Sequence, residues 1–288
     1  MSAFNTDAST LPGIDVSVVI PWSNRPELEI TLAKNSAAFS AVHSEVLVVN
    51  CGGDKQMLER ILKSSPFGSV RCIDIPHHTF NKCLALNIGA CSSCADRLFF
   101  LDADVILAPD FLASAIDCTK DDSFVTIEWV VDSNALAKSS GLVESIHTIE
   151  FVWDSGRRTA FEFYRKRVTD QARGGQGLIC LLKKHFNQVQ GMNSALIGWG
   201  GEDLDLIVRL LVLLEIQRVN LGEAIHLYHD DSVRQLTGKT RNPSFQTNMA
   251  ICQANYANGR FLGTLDRDLL EWKDKIQELS FDRVEMAG

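Results

Sequence analysis

The chain has 288 residues, 45% of them apolar and 22% charged, a balance that supports a sizeable core and excludes a disordered chain. Its 28 Lys and Arg against 36 Asp and Glu give a net charge of −8, which argues against non-specific nucleic-acid binding, since that rests on neutralising phosphates. No run approaches the about 18 apolar residues of a membrane span, and the first residues lack the basic and apolar regions of a secretory signal. Of the eight cysteines only Cys91 and Cys94 form a CxxC. No second pair or histidine follows at zinc spacing. The expectation is a cytoplasmic protein with reduced thiols and no integral membrane segment.

Residues 1–14 are small and polar and are expected to form a flexible leader. Strands and helices then alternate. Val16–Pro21 is a β-branched run of the kind buried on both faces of a sheet. Pro26 can open a helix running to about Phe39. Glu45–Asn50 is a second strand, broken by Gly52 and Gly53, and Asp54 can cap a helix to about Lys63. Val70–Ile75 is a third strand, Asn81–Cys91 a helix, and Arg97–Leu101 a fourth strand ending in Asp102-Ala103-Asp104. A helix after Pro109 reaches about Cys118, and Phe124–Val131 reads as a strand.

Residues 132–172 are less regular, with a turn at Gly156-Arg157-Arg158, and read as an insertion that helps build an acceptor site. Beyond it, Gly177–Leu182 is a strand, Leu204–Leu214 a helix, and Ile216–Asn220 and Ala224–Tyr228 two short strands. From about Asn242 the tail is helical with a polar end. The expected fold class is α/β, a three-layer Rossmann-like arrangement with a mostly parallel sheet and helices on both faces. The expected organisation is one α/β domain in two halves, 15–131 and 132–240, and a helical extension at 241–288. Right-handed crossovers put ligands at the carboxyl ends of the strands. The informative residues, at 21–25, 50–54 and 102–104, fall there.

Three constellations carry chemistry. Asp102 and Asp104, one residue apart at a strand end, can reach one hard cation of the kind that neutralises a diphosphate. Gly198-Trp199-Gly200-Gly201-Glu202-Asp203 leads into a helix. Its glycines permit close backbone approach, and its tryptophan beside two carboxylates makes a sugar platform next to a potential base. Asp205 fits a role at the helix dipole. His226-Leu227-Tyr228-His229 closes a strand-like run. With the distant Asp-x-Asp, its two imidazoles make a plausible site for Mn²⁺, which they suit better than Mg²⁺.

Over residues 16–230 the chain resembles the GT-A glycosyltransferases, especially the β-1,4-galactosyltransferase and chondroitin polymerase group of the family 2-like set. Ile20-Pro21-Trp22-Ser23-Asn24-Arg25 is similar to the family's Pro-Phe-Arg-Asn-Arg nucleotide loop, and Val48 to Asp54 to its Val-Ile-Asn-Gln-x-Gly-Asp segment. Phe80-Asn81-Lys82 with Leu86-Asn87-Ile88-Gly89 resembles Phe-Asn-Arg followed by Leu-Asn-Val-Gly, and Gly198 to Asp203 matches Gly-Trp-Gly-Gly-Glu-Asp in full. Trp22 and Ser23 depart from the family's Phe and Arg. Lys82 replaces an arginine, keeping the charge but not the bidentate geometry. His226 stands where some relatives carry methionine.

The resemblance implies a metal-dependent, inverting transfer of a sugar from a UDP-sugar to an acceptor hydroxyl of a saccharide, peptide or small molecule. It implies Pro21, Arg25, Asn50 and Asp54 near the nucleoside, and Asp102 near the ribose or metal. Asp104, His226 and His229 would hold Mn²⁺ (or Mg²⁺), and Lys82 would stand by the diphosphate. Trp199 and Gly200 would lie against the sugar, Glu202 on the acceptor, and Asp203 would act as general base. The alternatives are a non-catalytic nucleotide-sugar-binding protein and a sugar nucleotidyltransferase. The second would need a glycine-rich, basic first loop that Pro21 to Arg25 does not provide.

Overall fold

The computed structural model describes residues 13–67, 70–76, 79–135, 144–229 and 241–281; the expected leader lies largely outside them. The first strand, β1 (Val16–Trp22), is buried along its whole length. Helices α1 (Glu27–Lys34) and α2 (Ser36–Ser40) follow, then β2 (Ser44–Cys51), α3 (Lys55–Ser64), β3 (Val70–Ile75), α4 (Lys82–Ser92) and β4 (Arg97–Phe100). Strand β1 pairs in parallel with β2 and β4, and β2 with β3. The first half is thus the parallel sheet expected from its β-branched runs. Asp54 caps α3, accepting hydrogen bonds from the amides of Gln56 (2.8 Å) and Met57 (3.2 Å), and Asn81 caps α4.

The helix expected from Pro26 to Phe39 is broken at Asn35. There the Asn35 amide donates to the Val105 carbonyl (2.8 Å) and its oxygen accepts from the Leu107 amide (2.7 Å). Those two residues bound β5 (Val105–Leu107), a short strand the sequence pattern did not reveal. Thr31 on α1 adds a bond to the Ala103 carbonyl at 2.9 Å. The helix break therefore fixes the loop that carries Asp102 and Asp104.

The second half is mixed. It comprises α5 (Phe111–Cys118), β6 (Ser123–Asp132), β7 (Glu144–Val152), β8 (Arg158–Arg167), β9 (Arg173–Leu182), α6 (Lys183–Gln188), α7 (Glu202–Leu213) and β10 (Gln217–His226). The order across the main sheet is β3-β2-β1-β4-β9-β6-β10-β5. Strand β9 is antiparallel to both β4 and β6, while β10 runs parallel to β6. The region read as irregular is a long hairpin, β7 paired with β8, turning at residues 153–157. The two strands expected at 216–228 are one: Gly222, with φ +67°, sits inside β10 without ending its pairing to β6.

The tail forms α8 (Arg241–Ala257) and α9 (Leu265–Trp272), then β11 (Gln277–Leu279), which extends the sheet antiparallel to β3. Helix α4 lies close on the sheet because Gly89 leaves room. A Cβ there would stand 2.3 Å from Val19 and 2.9 Å from Val49. One apolar core lies on each face of the sheet, as a three-layer fold requires. All eight cysteines are free thiols. Among the described residues no helix is long and apolar enough to cross a membrane.

Candidate active site

A cavity of about 760 Å³ opens at the carboxyl ends of the strands, within the range usual for small-ligand sites. Two clusters of ionisable groups stand in its wall.

The first cluster gathers around Lys82, the first residue of α4. Its ammonium lies 3.1 Å from Asp102 and 3.2 Å from Asp203. Asp203 and Glu202 begin α7, delivered by a turn in which Gly198, Gly200 and Gly201 all have positive φ (81°, 90° and 92°), a conformation that favours glycine. Helix α8 clamps this turn: Asn248 donates to the Gly200 carbonyl (2.7 Å), and the Trp199 amide donates to Ser244 (2.8 Å). Trp199 lines the cavity, with the Arg241 guanidinium 5.3 Å from its ring centre.

Burial pushes the Glu202 carboxyl up to about 7, with the neighbouring Asp203 charge adding and Lys82 opposing. Burial also raises Asp203 against the pull of Lys82. Desolvation works to lower Lys82, but Asp102, Asp203 and Glu202 outweigh it and hold the ammonium protonated. The Glu202 Oε2 atom is buried and has no hydrogen-bond partner among the described residues.

The second cluster is Asp104, His226 and His229, whose ligating atoms lie within 4.8 Å of one another. His229 Nε2 is 3.2 Å and His226 Nε2 3.6 Å from Asp104 Oδ2, and Arg25 donates to the same oxygen at 2.7 Å. Burial works to raise the Asp104 carboxyl, and the His229 hydrogen bond, His226 and Arg25 overcome it and hold it below its ordinary value. Burial lowers His226 and keeps its imidazole neutral, the form that ligates metals. Asp104 Oδ1 is buried and has no hydrogen-bond partner among the described residues. A carboxylate and two imidazoles whose ligating atoms all lie within 4.8 Å of one another, with an orphaned carboxylate oxygen among them, fit a divalent cation.

Of the residues singled out from sequence, Pro21, Arg25, Lys82, Asp102, Asp104, Trp199, Gly200, Glu202, Asp203 and His226 all line this cavity, with His229 joined to Asp104. Asn50 and Asp54 do not. The Asn50 amide donates to Asp74 (2.8 Å) and its oxygen accepts from the Gly53 amide (2.9 Å), while Asp54 caps α3. Both shape the loop rather than face the cavity. Trp22 is fully buried behind them, its indole donating to the Arg25 carbonyl at 2.8 Å. Asp205, read as a dipole partner, is buried and pairs with Arg209 at 2.9 Å. Asn87 is likewise structural, tying α4 to the Met192 backbone and to Asp268.

Sequence reasoning missed the β9 wall, Arg173-Gly174-Gly175-Gln176-Gly177. Three glycines within a strand are a signal of close approach. A Cβ on Gly177 would lie 2.4 Å from the Asp203 carboxylate and 3.0 Å from Lys82.

A family model described as the N-terminal domain of galactosyltransferase matches residues 157–230. Among solved structures, S. aureus TarS 1-349 in complex with UDP-GlcNAc aligns with a TM-score of 0.53 at 11% identity, over 89% of this chain and 72% of that one. The same protein with UDP aligns at 0.50 and 14% identity, over 74% and 60%. The mannosyltransferase PcManGT from Pyrobaculum calidifontis, in complex with GDP-Man and Mn²⁺, aligns at 0.49 and 12%, over 93% and 77%. At such identities the solved structures speak for the fold. No curated protein matches the sequence. The chain shares its fold with these structures, and the segment that the galactosyltransferase model matches carries Glu202, Asp203, His226 and His229.

Proposed function

We propose that the protein transfers a sugar from a UDP-sugar to an acceptor hydroxyl, with inversion at the anomeric carbon. The observation that carries this reading is the meeting of Asp203, held by Lys82, with the Asp104–His226–His229 cluster in one cavity. UDP as the nucleotide is supported by the Pro21 to Arg25 loop at the cavity edge and by the UDP complexes of the TarS fold relative.

Asp203 takes the proton of the acceptor hydroxyl as that oxygen attacks the anomeric carbon. The bond from that carbon to the diphosphate oxygen breaks, and UDP leaves with the electron pair. One base and no enzyme nucleophile match a single displacement with inversion. Lys82 fixes the Asp203 carboxylate through its hydrogen bond and brings positive charge to the side where the diphosphate leaves. Glu202, buried with an unpartnered oxygen, holds the acceptor hydroxyl. Trp199 offers an apolar face to a sugar ring. Asp104, His226 and His229 would hold Mn²⁺, which supplies charge neutralisation to the diphosphate when bound.

A thermal-shift series with UDP and UDP-sugars, with and without Mn²⁺, tests the reading, because a ligand of the native state raises its apparent stability. A shift with UDP that grows when Mn²⁺ is added is expected. No shift with any uridine nucleotide would sink the assignment.

A further inference from the structure

His226 is held from behind by a carboxylate that none of the sequence motifs contains. Its Nδ1 donates to Asp132 Oδ1 at 2.8 Å, while its Nε2 faces Asp104 Oδ2 at 3.6 Å. The strand pairing builds this contact: His226, the last residue of β10, stands in register with Asp132, the last residue of β6. Asp132 Oδ1 also accepts from Arg173 Nη1 at 2.8 Å, from the neighbouring strand β9. Arg173, the first residue of β9, and Asp132 and His226, the last residues of β6 and β10, are thus joined in a row across three adjacent strands that leads to Asp104.

The backbone around the row is pinned as well. The Ser133 amide donates to the His226 carbonyl (2.8 Å), the Leu227 amide to the Asp104 carbonyl (2.7 Å), and the Tyr228 amide to the Ser133 hydroxyl (3.0 Å). With its Nδ1 hydrogen committed to Asp132, His226 presents the bare Nε2 lone pair to the cluster. That is the tautomer and ring orientation a metal-binding histidine needs, and a carboxylate behind the ring increases the basicity of the ligating nitrogen.

We propose that Asp132, held by Arg173, is a positioning residue for the divalent-cation site: it fixes the His226 tautomer and sets the affinity of the Asp104–His226–His229 cluster. The inference rests on the metal reading given above and adds residues outside the ligand set. It explains why the carboxyl end of β6 carries an acid although Asp132 reaches neither Lys82 nor Asp203.

The test is Mn²⁺ titration of the purified full chain, without nucleotide, followed by the loss of the free-ion electron paramagnetic resonance signal. Losing such an outer partner costs about 10–100-fold in metal affinity. Asp132→Ala should therefore bind Mn²⁺ about 10–100-fold more weakly than the wild type. Asp132→Asn, which keeps an oxygen to accept the Nδ1 hydrogen, should recover part of that loss and serves as the readout should the alanine variant not fold. A thermal melt in EDTA checks folding of each. Equal Mn²⁺ affinity in the wild type and in folded Asp132→Ala and Asp132→Asn would overturn the role of Asp132 while leaving the cluster a metal site. A wild type that takes up no Mn²⁺ would overturn the metal reading, and this inference with it.

Discussion

The two ionisable clusters in the cavity wall both hold buried or half-buried carboxylates, yet their charge is balanced in opposite ways. Around Lys82 the balancing cation is part of the protein, an ammonium held between Asp102 and Asp203. It leaves Glu202 and Asp203 raised, Glu202 to about 7, the range in which a carboxyl exchanges protons near neutral pH. Around Asp104 the partners are two imidazoles and one guanidinium, the carboxyl is depressed, and one of its oxygens is left without a partner. In the proposed function the first cluster moves a proton and the second receives a cation. The lesson is that the partner chosen for a buried carboxylate, more than its burial, decides its chemistry.

Substitutions that exchange these roles would break the comparison. The largest effect is expected for Asp203→Asn, which should cut sugar transfer by about 10²–10⁴-fold, the usual contribution of a positioned base, while UDP-induced thermal stabilisation persists. Transfer near the wild-type rate would remove Asp203 from the chemistry.

Next comes Lys82→Met, which strands two carboxylates. Because Asp102 is 39% exposed, the loss at pH 8 should be about 2 kcal/mol, below the about 3–5 kcal/mol of a fully buried pair. Urea unfolding would read it, and the loss should shrink at pH 5 as the raised carboxyls take up protons. An unchanged unfolding midpoint at pH 8 would mean that Lys82 is not the counter-charge.

Gly177→Ala should be milder for the fold, since the new methyl meets only the ends of the Asp203 and Lys82 side chains. Displacing that pair should still slow transfer by about 10-fold, as small misplacements of reacting groups do. A variant with wild-type turnover would show that the pair has room to spare.

The smallest effect concerns pH. The Glu202 carboxyl lies at about 7 in the fold, up from an ordinary 4.5. The folded state therefore keeps its proton after the unfolded state has lost it, and stability falls as pH rises from about 4.5 through about 7. Glu202→Gln lacks this penalty, so its melting temperature relative to wild type should climb by a few degrees from pH 5 to pH 8. A difference that stays flat with pH would place the proton elsewhere.

Much of this arrangement was legible in the sequence where the signal is local. Buried strands announced themselves as β-branched runs, Asp54 as a cap, and Gly198 to Asp203 as a glycine-rich approach to a helix, whose three glycines all take positive φ. Signals made by tertiary contact were not legible. The helix break at Asn35 depends on two bonds to β5, some 70 residues away. The β7–β8 hairpin hid because both of its strands are largely exposed or half-exposed, which erases the alternation that marks a strand. The break expected between residues 220 and 224 does not occur, because the positive φ of Gly222 is accommodated inside β10. Asn50 matched a family motif, yet its amide is spent on Asp74 and Gly53, so the motif there preserves the loop. Asp132 belongs to no motif, since its role arises only when β6 and β10 lie side by side.

The most direct measurement is UDP release from a panel of UDP-sugars by the purified protein with Mn²⁺ and simple hydroxyl acceptors, run beside Asp203→Asn and Asp104→Ala. UDP release from at least one donor, dependent on Mn²⁺ and reduced by about 10²-fold or more in the Asp203→Asn variant, is the predicted result. Release that persists unchanged in both variants, or UDP-sugar binding with no turnover under any condition, would contradict it.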